Sequence, residues 1–372
     1  MKLYMIAGEA SGDLHGSNLV KSLLRKDPEM QIRCWGGDLM GSAGAELVKH
    51  YRDLAFMGFL EVVMNLKTIR SNFKFCKKDI EDYSPDALIL IDYPGFNLRM
   101  AEWAHKRNIR VYYYISPQLW AWHKSRIKKI KKYVDRMFVI LPFEKEFYKK
   151  HQVEVDFVGH PLLDSIEESD LNQTKDAFLK EYNLGAKKIV AILPGSRKQE
   201  ISKMLPKMIQ TAKSFPDFQF VIAGAPSVPP EFYSSFEDIE QIQIVYNNTY
   251  PLLNASYAAM VTSGTATLET ALFKVPEVVC YSGNFVSYVL AKLLIDIAYI
   301  SLVNLIMDQM IVKELIQNDF NEASLKGEME KILNDESYRE NMLKSMTNLS
   351  VKLGGQGASD KTASLMIQHM AS

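Results

Sequence analysis

Two rhythms of apolar residues alternate along the chain. Short runs, unbroken but for Lys188 and Gln219, occur at 3–6, 87–91, 111–115, 137–141, 188–193, 218–223 and 258–261, rich in Val, Ile, Leu, Tyr and Ala. Between them lie longer stretches with apolar residues at helical spacing, such as Leu19, Leu23 and Leu24. A run with no polar alternation is what a parallel strand needs when both its faces are covered. Strand following helix following strand is the signature of an α/β fold. Shorter strands are predicted at 32–35, 45–48, 155–159, 242–245 and 276–281, the last taken as the final strand. Helices are predicted at 285–298, 309–317, 322–334 and 336–352. A Gly354-Gly355-Gln356-Gly357 break precedes a last helix at 358–371.

At 372 residues the chain is too long for one ordinary core. The pattern predicts two Rossmann-like doubly wound parallel-sheet domains, residues 1–165 and 166–353, facing a central cleft. The final segment, 354–372, could cross back onto the first domain. In such open sheets, ligands sit beyond the carboxyl ends of the strands, so the polar residues that follow each run are the candidates for chemistry.

After the first run comes Gly8-Glu9-Ala10-Ser11-Gly12-Asp13, a glycine-bearing turn with a helix opening near Asp13. Glu9 and Ala10 stand where a dinucleotide fingerprint would need bare backbone. Two carboxylates beside a turn instead suit sugar hydroxyls, and the alternative is a plain tight loop. The run 87–91 ends in Asp92-Tyr93-Pro94-Gly95-Phe96-Asn97. That puts Asp92 where a catalytic carboxylate belongs, unless it caps the following helix. The run 111–115 ends in Ser116-Pro117-Gln118-Leu119-Trp120-Ala121-Trp122, either a ligand wall or a core cluster. In the second half, Pro194-Gly195-Ser196-Arg197 offers backbone N–H groups and a forked cation, suited to a diphosphate. Ser263-Gly264-Thr265-Ala266-Thr267-Leu268-Glu269 is a small-residue turn opening a helix, a second anion site. Glu269 could meet a ribose hydroxyl or stabilise the helix dipole.

Composition adds three points. Cys34, Cys76 and Cys280 are scattered, which fits a reducing cytoplasm and argues against a zinc site or a disulfide framework. The chain enters its first strand at once, so no signal peptide is expected. The formal charge is zero, yet residues 1–165 hold 26 Lys/Arg against 20 Asp/Glu, a net +6 that leaves −6 for the rest. This basic half contains the apolar stretch 56–66, with Met57, Phe59, Leu60 and Val63, followed by Lys67, Arg70, Lys74, Lys77 and Lys78. Such a stretch is a core helix or an element dipping into an anionic membrane surface. The basic segment 124–132 has no nucleic-acid recognition motif, which leaves anionic lipid or an acceptor phosphate as its partner.

The three first-half strand-end motifs, together with Leu141-Pro142-Phe143-Glu144, Leu193-Pro194-Gly195-Ser196-Arg197, the 263–269 turn and Ser301-Leu302-Val303-Asn304-Leu305, resemble the signatures of the lipid-A-disaccharide synthase family in order and over nearly the whole chain. The resemblance implies a GT-B glycosyltransferase peripheral to the inner membrane on its cytoplasmic side. Its donor would be UDP-2,3-diacylglucosamine and its acceptor 2,3-diacylglucosamine 1-phosphate. The products would be a β-1,6-linked disaccharide 1-phosphate and UDP, made by inversion with no metal or cofactor. Carried over by position, Asp92 is the general base. Gly195, Ser196, Arg197, Ser263, Gly264, Thr265, Glu269 and Asn304 hold the nucleotide. Gly8, Glu9, Ser11, Gly12 and Trp120 lie on the sugar and acceptor side, and Met57, Phe59, Leu60 and Val63 meet acyl chains.

The chain departs from the family pattern at Gly95, where many members carry a second Asp. It departs again at His123, where Arg is common, and at Asp308-Gln309, where Gly-Arg is frequent. Two alternatives stay open: a UDP-sugar 2-epimerase of the same architecture, and a non-catalytic nucleotide-sugar or membrane-surface binding protein.

Overall fold

The structure is a computed structural model. It describes residues 1–53, 66–120, 126–170, 175–185, 187–236, 239, 242–283 and 298–371. The stretch with Met57, Phe59, Leu60 and Val63 lies outside these residues, as do Trp122 and His123.

The chain divides into two compact units, Met1–Ser165 with Leu353–Ser372, and Ile166–Lys352. The first holds the parallel strands β1 (Lys2–Ala7), β2 (Gln31–Gly36), β3 (Glu46–His50), β4 (Ala87–Ile91), β5 (Arg110–Tyr114), β6 (Arg136–Val139) and β7 (Asp156–Phe157), in the order β3-β2-β1-β4-β5-β6-β7. Every residue of β4 is buried, as is all of β1 after Lys2, which explains their unbroken apolar runs. The helices α1 (Ala10–Lys26), α2 (Asp38–Ser42), α3 (Leu66–Tyr83), α4 (Pro94–His105), α5 (Ile127–Tyr133) and α6 (Pro142–Lys150) connect these strands. Between β1 and β4 the strand order reverses, with Ala7 paired to Ile91 at the carboxyl ends.

The second unit repeats the plan. After α7 (Leu162–Asp170) and α8 (Lys175–Glu181) come β8 (Lys188–Leu193), α9 (Lys198–Ala212), β9 (Phe218–Gly224), β10 (Ile242–Tyr246), α10 (Thr249–Ala255) and β11 (Ser256–Thr262). They are followed by α11 (Thr265–Leu272), β12 (Glu277–Tyr281), α12 (Leu302–Met307), β13 (Lys313–Ile316), α13 (Glu322–Asn334) and α14 (Glu336–Lys352). The order is β10-β9-β8-β11-β12-β13, so reversal falls between β8 and β11.

The predicted helix at 309–317 is a strand instead. Val278 to Tyr281 pair in parallel with Lys313 to Ile316, making β13 an edge strand. Only Leu315 is fully buried within it, so its polar composition hid it. Among the described residues, no helix is long and apolar enough to cross a membrane.

The last helix, α15 (Ala358–Ala371), belongs to the first unit and packs against α1. The Asp164 carboxylate caps it, accepting from the backbone N–H of Gly357 at 2.8 Å, Ala358 at 3.3 Å and Ser359 at 2.8 Å. A side-chain cap on free first-turn donors is worth ~0.5–2 kcal/mol. Asp164→Ala should therefore lower the melting temperature by a few degrees, ~2–4 °C per kcal/mol lost for a unit of this size. Asp164→Asn, which keeps one acceptor, should lower it less, and thermal melts of the three proteins check the ranking.

Candidate active site

At the end of β4 the backbone takes two left-handed residues in succession, Asp92 at φ 43° and Tyr93 at φ 48°. Each costs an L-residue roughly 1–2 kcal/mol, so the surrounding structure must hold the turn. The Asp92 carbonyl accepts from Tyr113 Oη at 2.6 Å and from Asn97 Nδ2 at 2.8 Å. Asn97 is fully buried and also donates to the Ile91 carbonyl at 3.1 Å.

Helix α4 starts only at Pro94, with Tyr93 as its N-cap and no side chain capping it. The Asp92 carboxyl is thus not spent on a cap. Burial, the negative charge of Glu9 and a partly offsetting N–H from Tyr93 leave it pushed up to about 7. A carboxyl raised this far can take up or release a proton near neutrality.

Glu9 is exposed just after β1, which pairs with β4, so both acids follow neighbouring strand ends at the switch point. Ser11 is exposed on the first turn of α1, and the buried Gly12 lets α1 approach β1. Gly8 lies under the Tyr93 ring, and an added Cβ there would fall 2.4 Å from two ring carbons.

The expectation for Asp13 is corrected. Helix α1 begins at Ala10, and Asp13 is buried within it. Its carboxylate accepts from the N–H groups of Gly37 at 2.7 Å, Met40 at 3.0 Å and Leu39 at 3.2 Å, so it caps α2 rather than offering itself to a sugar.

Trp120 follows β5, half-buried and edge-on to Phe143 with centroids 5.1 Å apart. Glu144 is buried at the start of α6, where it accepts from the N–H groups of Ile140 and Leu141 at 3.2 and 2.9 Å.

In the second unit, β8, β9 and β11 end around a cavity of about 220 Å³ lined by Gly195, Ser196, Gly224, Thr262, Ser263, Gly264, Thr265 and Glu269, among others. Gly195 turns with φ 112°. Gly264 is the N-cap of α11, and an added Cβ there would meet nothing within 4 Å. Open space over free helix N–H groups suits an anion. Glu269 accepts from Tyr250 Oη at 2.9 Å, and burial raises its carboxyl above the usual range. The Thr262 hydroxyl is buried among these groups with no partner among the described residues. The sequence gives no sign of Tyr250, which lies in an ordinary helix, whereas Thr262 opens the small-residue turn that continues through Ser263 and Gly264. Arg197 is the N-cap residue of α9. Its side chain is 64% exposed and pairs with Glu200 at 3.3 Å, and it is not among the residues lining the cavity.

Asn304 is a second correction. It is fully buried, and its side chain is saturated. Nδ2 donates to the Val312 carbonyl at 2.8 Å and to Glu314 at 2.9 Å, while Oδ1 accepts from the N–H groups of Ile311 and Val312 at 2.8 and 3.0 Å. With its lone pairs and both protons engaged, it ties α12 to β13 and has nothing left for a nucleotide.

The model of the lipid-A-disaccharide synthetase family matches residues 3–368. The chain belongs to the lipid-A-disaccharide synthase family. It is 37% identical to the lipid-A-disaccharide synthase of Trichlorobacter lovleyi, over 98% of this chain and 97% of that protein. To the Coxiella burnetii enzyme of the same name it is 38% identical, over 97% and 96%. Among solved structures it resembles the UDP-GlcNAc 2-epimerase of Neisseria meningitidis bound to UDP-GlcNAc, with TM-score 0.69 and 13% identity over 99% of this chain and all of that one. A glycotransferase of kitacinnamycin superposes with TM-score 0.68, also at 13% identity and over 99% of each chain. At that identity these two structures speak for the fold alone, the two-Rossmann-domain arrangement of GT-B glycosyltransferases and UDP-sugar epimerases. Whole-length identity with synthases sets this chain in the synthase branch.

The contact of Gly8 with Tyr93 ranks two substitutions in this family member. Gly12→Ala places its Cβ 3.1 Å from that of Ala7, a mild approach, whereas Gly8→Ala drives into the ring. Overpacking costs ~1–3 kcal/mol, so Gly8→Ala should lower the melting temperature clearly more than Gly12→Ala. Equal melts would show that Tyr93 moves freely.

Proposed function

We propose that this protein joins UDP-2,3-diacylglucosamine to 2,3-diacylglucosamine 1-phosphate, giving the β-1,6-linked disaccharide 1-phosphate and UDP. The observation that carries the reading is the uncapped Asp92 carboxyl, raised to about 7, at the switch point of a chain matched end to end by synthases.

In the proposed step Asp92 takes the proton of the acceptor's 6-hydroxyl. The oxygen attacks the donor's anomeric carbon from the face opposite UDP. The carbon–oxygen bond to the diphosphate breaks, and UDP leaves with the electron pair. The configuration at that carbon inverts. Gly195, Ser196, Ser263, Gly264 and Thr265 would cradle the diphosphate, with the N-terminus of α11 meeting the charge that develops on it. Arg197 would swing from Glu200 onto a phosphate, a charge-assisted contact stronger than its exposed ion pair. Glu9, Ser11, Gly12 and Trp120 would lie along the acceptor sugar. No residue here is proposed to bind a metal or cofactor.

The test is UDP release on incubation with both acylated substrates, expected to require both. An epimerase would interconvert the donor alone, and a binding protein would release nothing. Asp92→Asn should reduce turnover ~10²–10⁴-fold with UDP affinity retained. Because the base works deprotonated, kcat/KM of the wild type should climb as pH rises towards about 7 and level off above it. Turnover by Asp92→Asn within a few-fold of wild type would remove Asp92 from the reaction.

The location proposed is the cytoplasmic face of the inner membrane. Lys67, Arg70, Lys74 and Lys78 on α3 and Lys128, Lys129, Lys131 and Lys132 on α5 are exposed cations suited to an anionic surface. The stretch 56–66, with Met57, Phe59, Leu60 and Val63, would receive acyl chains at ~0.8 kcal/mol per buried methylene. Replacing Met57, Phe59 and Val63 by Ser should weaken binding to anionic vesicles and raise KM for acylated substrates while leaving UDP affinity alone. Wild-type vesicle binding should fall as salt screens the cations. Binding indifferent to both changes would place the docking face elsewhere.

A further inference from the structure

We infer that Tyr113 is a positioning residue for the transfer, acting with Asn97 through the main-chain carbonyl of Asp92. The inference rests on the reading of Asp92 as the base. Its warrant is geometric. Asp92 and Tyr93 are both left-handed, at φ 43° and 48°, and such a pair persists only where surrounding bonds over-determine it. Two side-chain donors converge on the Asp92 carbonyl. Tyr113 Oη donates at 2.6 Å from the adjacent strand β5, and Asn97 Nδ2 donates at 2.8 Å from α4.

Both donors are fully buried, so neither contacts solvent, and the Tyr113 hydroxyl has no other hydrogen-bond partner among the described residues. Burial also holds that hydroxyl far above its ordinary pKa, which keeps it a donor at any working pH. A strand-to-helix turn held this way fixes where the Asp92 Cβ points. Released, it can relax to a right-handed or extended turn that swings the carboxyl away from the acceptor hydroxyl.

This role differs from packing. Tyr113 →Phe keeps the ring in the core and deletes only the bond to the carbonyl. A positioned general base loses efficiency when its geometry loosens, even with its chemistry intact. The variant should therefore lose kcat about tenfold, the factor that one hydrogen bond supports. KM for both substrates and UDP affinity should stay within about twofold of wild type.

The experiment measures kcat, KM, UDP affinity and melting temperature for Tyr113→Phe, Asn97→Ser, Tyr114→Phe and Asp92→Asn in parallel. Tyr114 lies next along β5, and its carbonyl accepts from the Asp92 N–H at 3.1 Å, a main-chain bond that Tyr114→Phe leaves in place, while its hydroxyl lies near Asp164 and Ser359. It reports the cost of merely deleting a buried hydroxyl, so Tyr114→Phe should keep wild-type kcat. A selective fall in kcat for Tyr113→Phe, repeated in Asn97→Ser, supports the inference. Wild-type kcat in Tyr113→Phe overturns it. So does a fall in kcat that Tyr114→Phe matches, or that comes with equal losses in substrate and UDP binding, because then the hydroxyl only supports the fold. The two readings fail differently. Activity retained by Asp92→Asn removes the base itself, whereas an inactive Asp92→Asn beside a normal Tyr113→Phe removes only the clamp.

Discussion

The reversal of strand order in each parallel sheet is the constraint from which the rest of the molecule follows. Strands β1 and β4 pair in register up to Ala7 and Ile91, and their connections then leave in opposite directions. Burying an unpaired polar side chain within such a sheet is costly, because both faces are covered, so the candidate polar groups stand where the strands stop. Glu9 and Asp92 follow β1 and β4, and Gly195-Ser196 and Ser263-Gly264 follow β8 and β11. The same topological rule thus sets two acids at the strand ends of one unit and a cavity at the strand ends of the other. What differs is the turn chemistry. The first unit sets a half-buried carboxyl near a second acid, and the second unit places Gly195 and Gly264 at the turns that lead into helices α9 and α11.

Much of this was legible in the sequence because buried strands leave a plain record. An unbroken apolar run followed by Gly, Asp or Ser marks both a strand and its functional end, and β1, β4, β5, β8 and β9 read directly in that way. The record failed where burial was partial. In β13 only Leu315 is buried, while Lys313 is exposed, so an edge strand reads as a polar helix. It also failed where a polar side chain turns inward. Asp13 and Asn304 look like ligand groups in a linear motif. Their hydrogen bonds go to backbone 24 to 27 residues away in the first case and to residues seven to ten positions on in the second. Saturation of that kind depends on tertiary contacts that no local pattern records. Tyr113 is the converse, since its ring belongs to the core and only its hydroxyl bears on the site.

The network around Asn304 shows how a motif residue can matter without touching a ligand. Glu314 accepts from the N–H groups of Ile300 and Ser301, each at 3.0 Å, from Ser301 Oγ at 2.7 Å and from Asn304 Nδ2 at 2.9 Å. The Ile300 carbonyl in turn accepts from Ser263 Oγ at 3.1 Å, and Ser263 lines the cavity. A carboxylate with four donors is a strong anchor in a partly buried setting. Loss of Asn304 would loosen Ser263 at one remove, which is a sufficient physical reason for an Asn at this place in the motif.

The departures from the family pattern acquire a physical meaning on this frame. Gly95 is exposed, and a Cβ there would meet nothing within 4 Å, so a second Asp would fit without strain. Its loss does not leave Asp92 without a like charge, because Glu9 at the end of the neighbouring strand acts in the same sense and adds to the burial that raises the Asp92 carboxyl. Burial is the larger cause of the raised Asp92 carboxyl, and the acid that adds to it lies on the neighbouring strand end rather than on its own loop. At Asp308-Gln309 the backbone shows why Gly is frequent. Asp308 is the left-handed C-cap of α12 at φ 56°, a conformation that Gly adopts freely and Asp tolerates through its short side chain. Asp308 thus holds the left-handed turn that a Gly would hold, while the residue beside it, Gln309, is neutral. The positive groups proposed for a diphosphate are then the N-terminus of α11 and Arg197, which pairs here with the half-buried Glu200 at 3.3 Å.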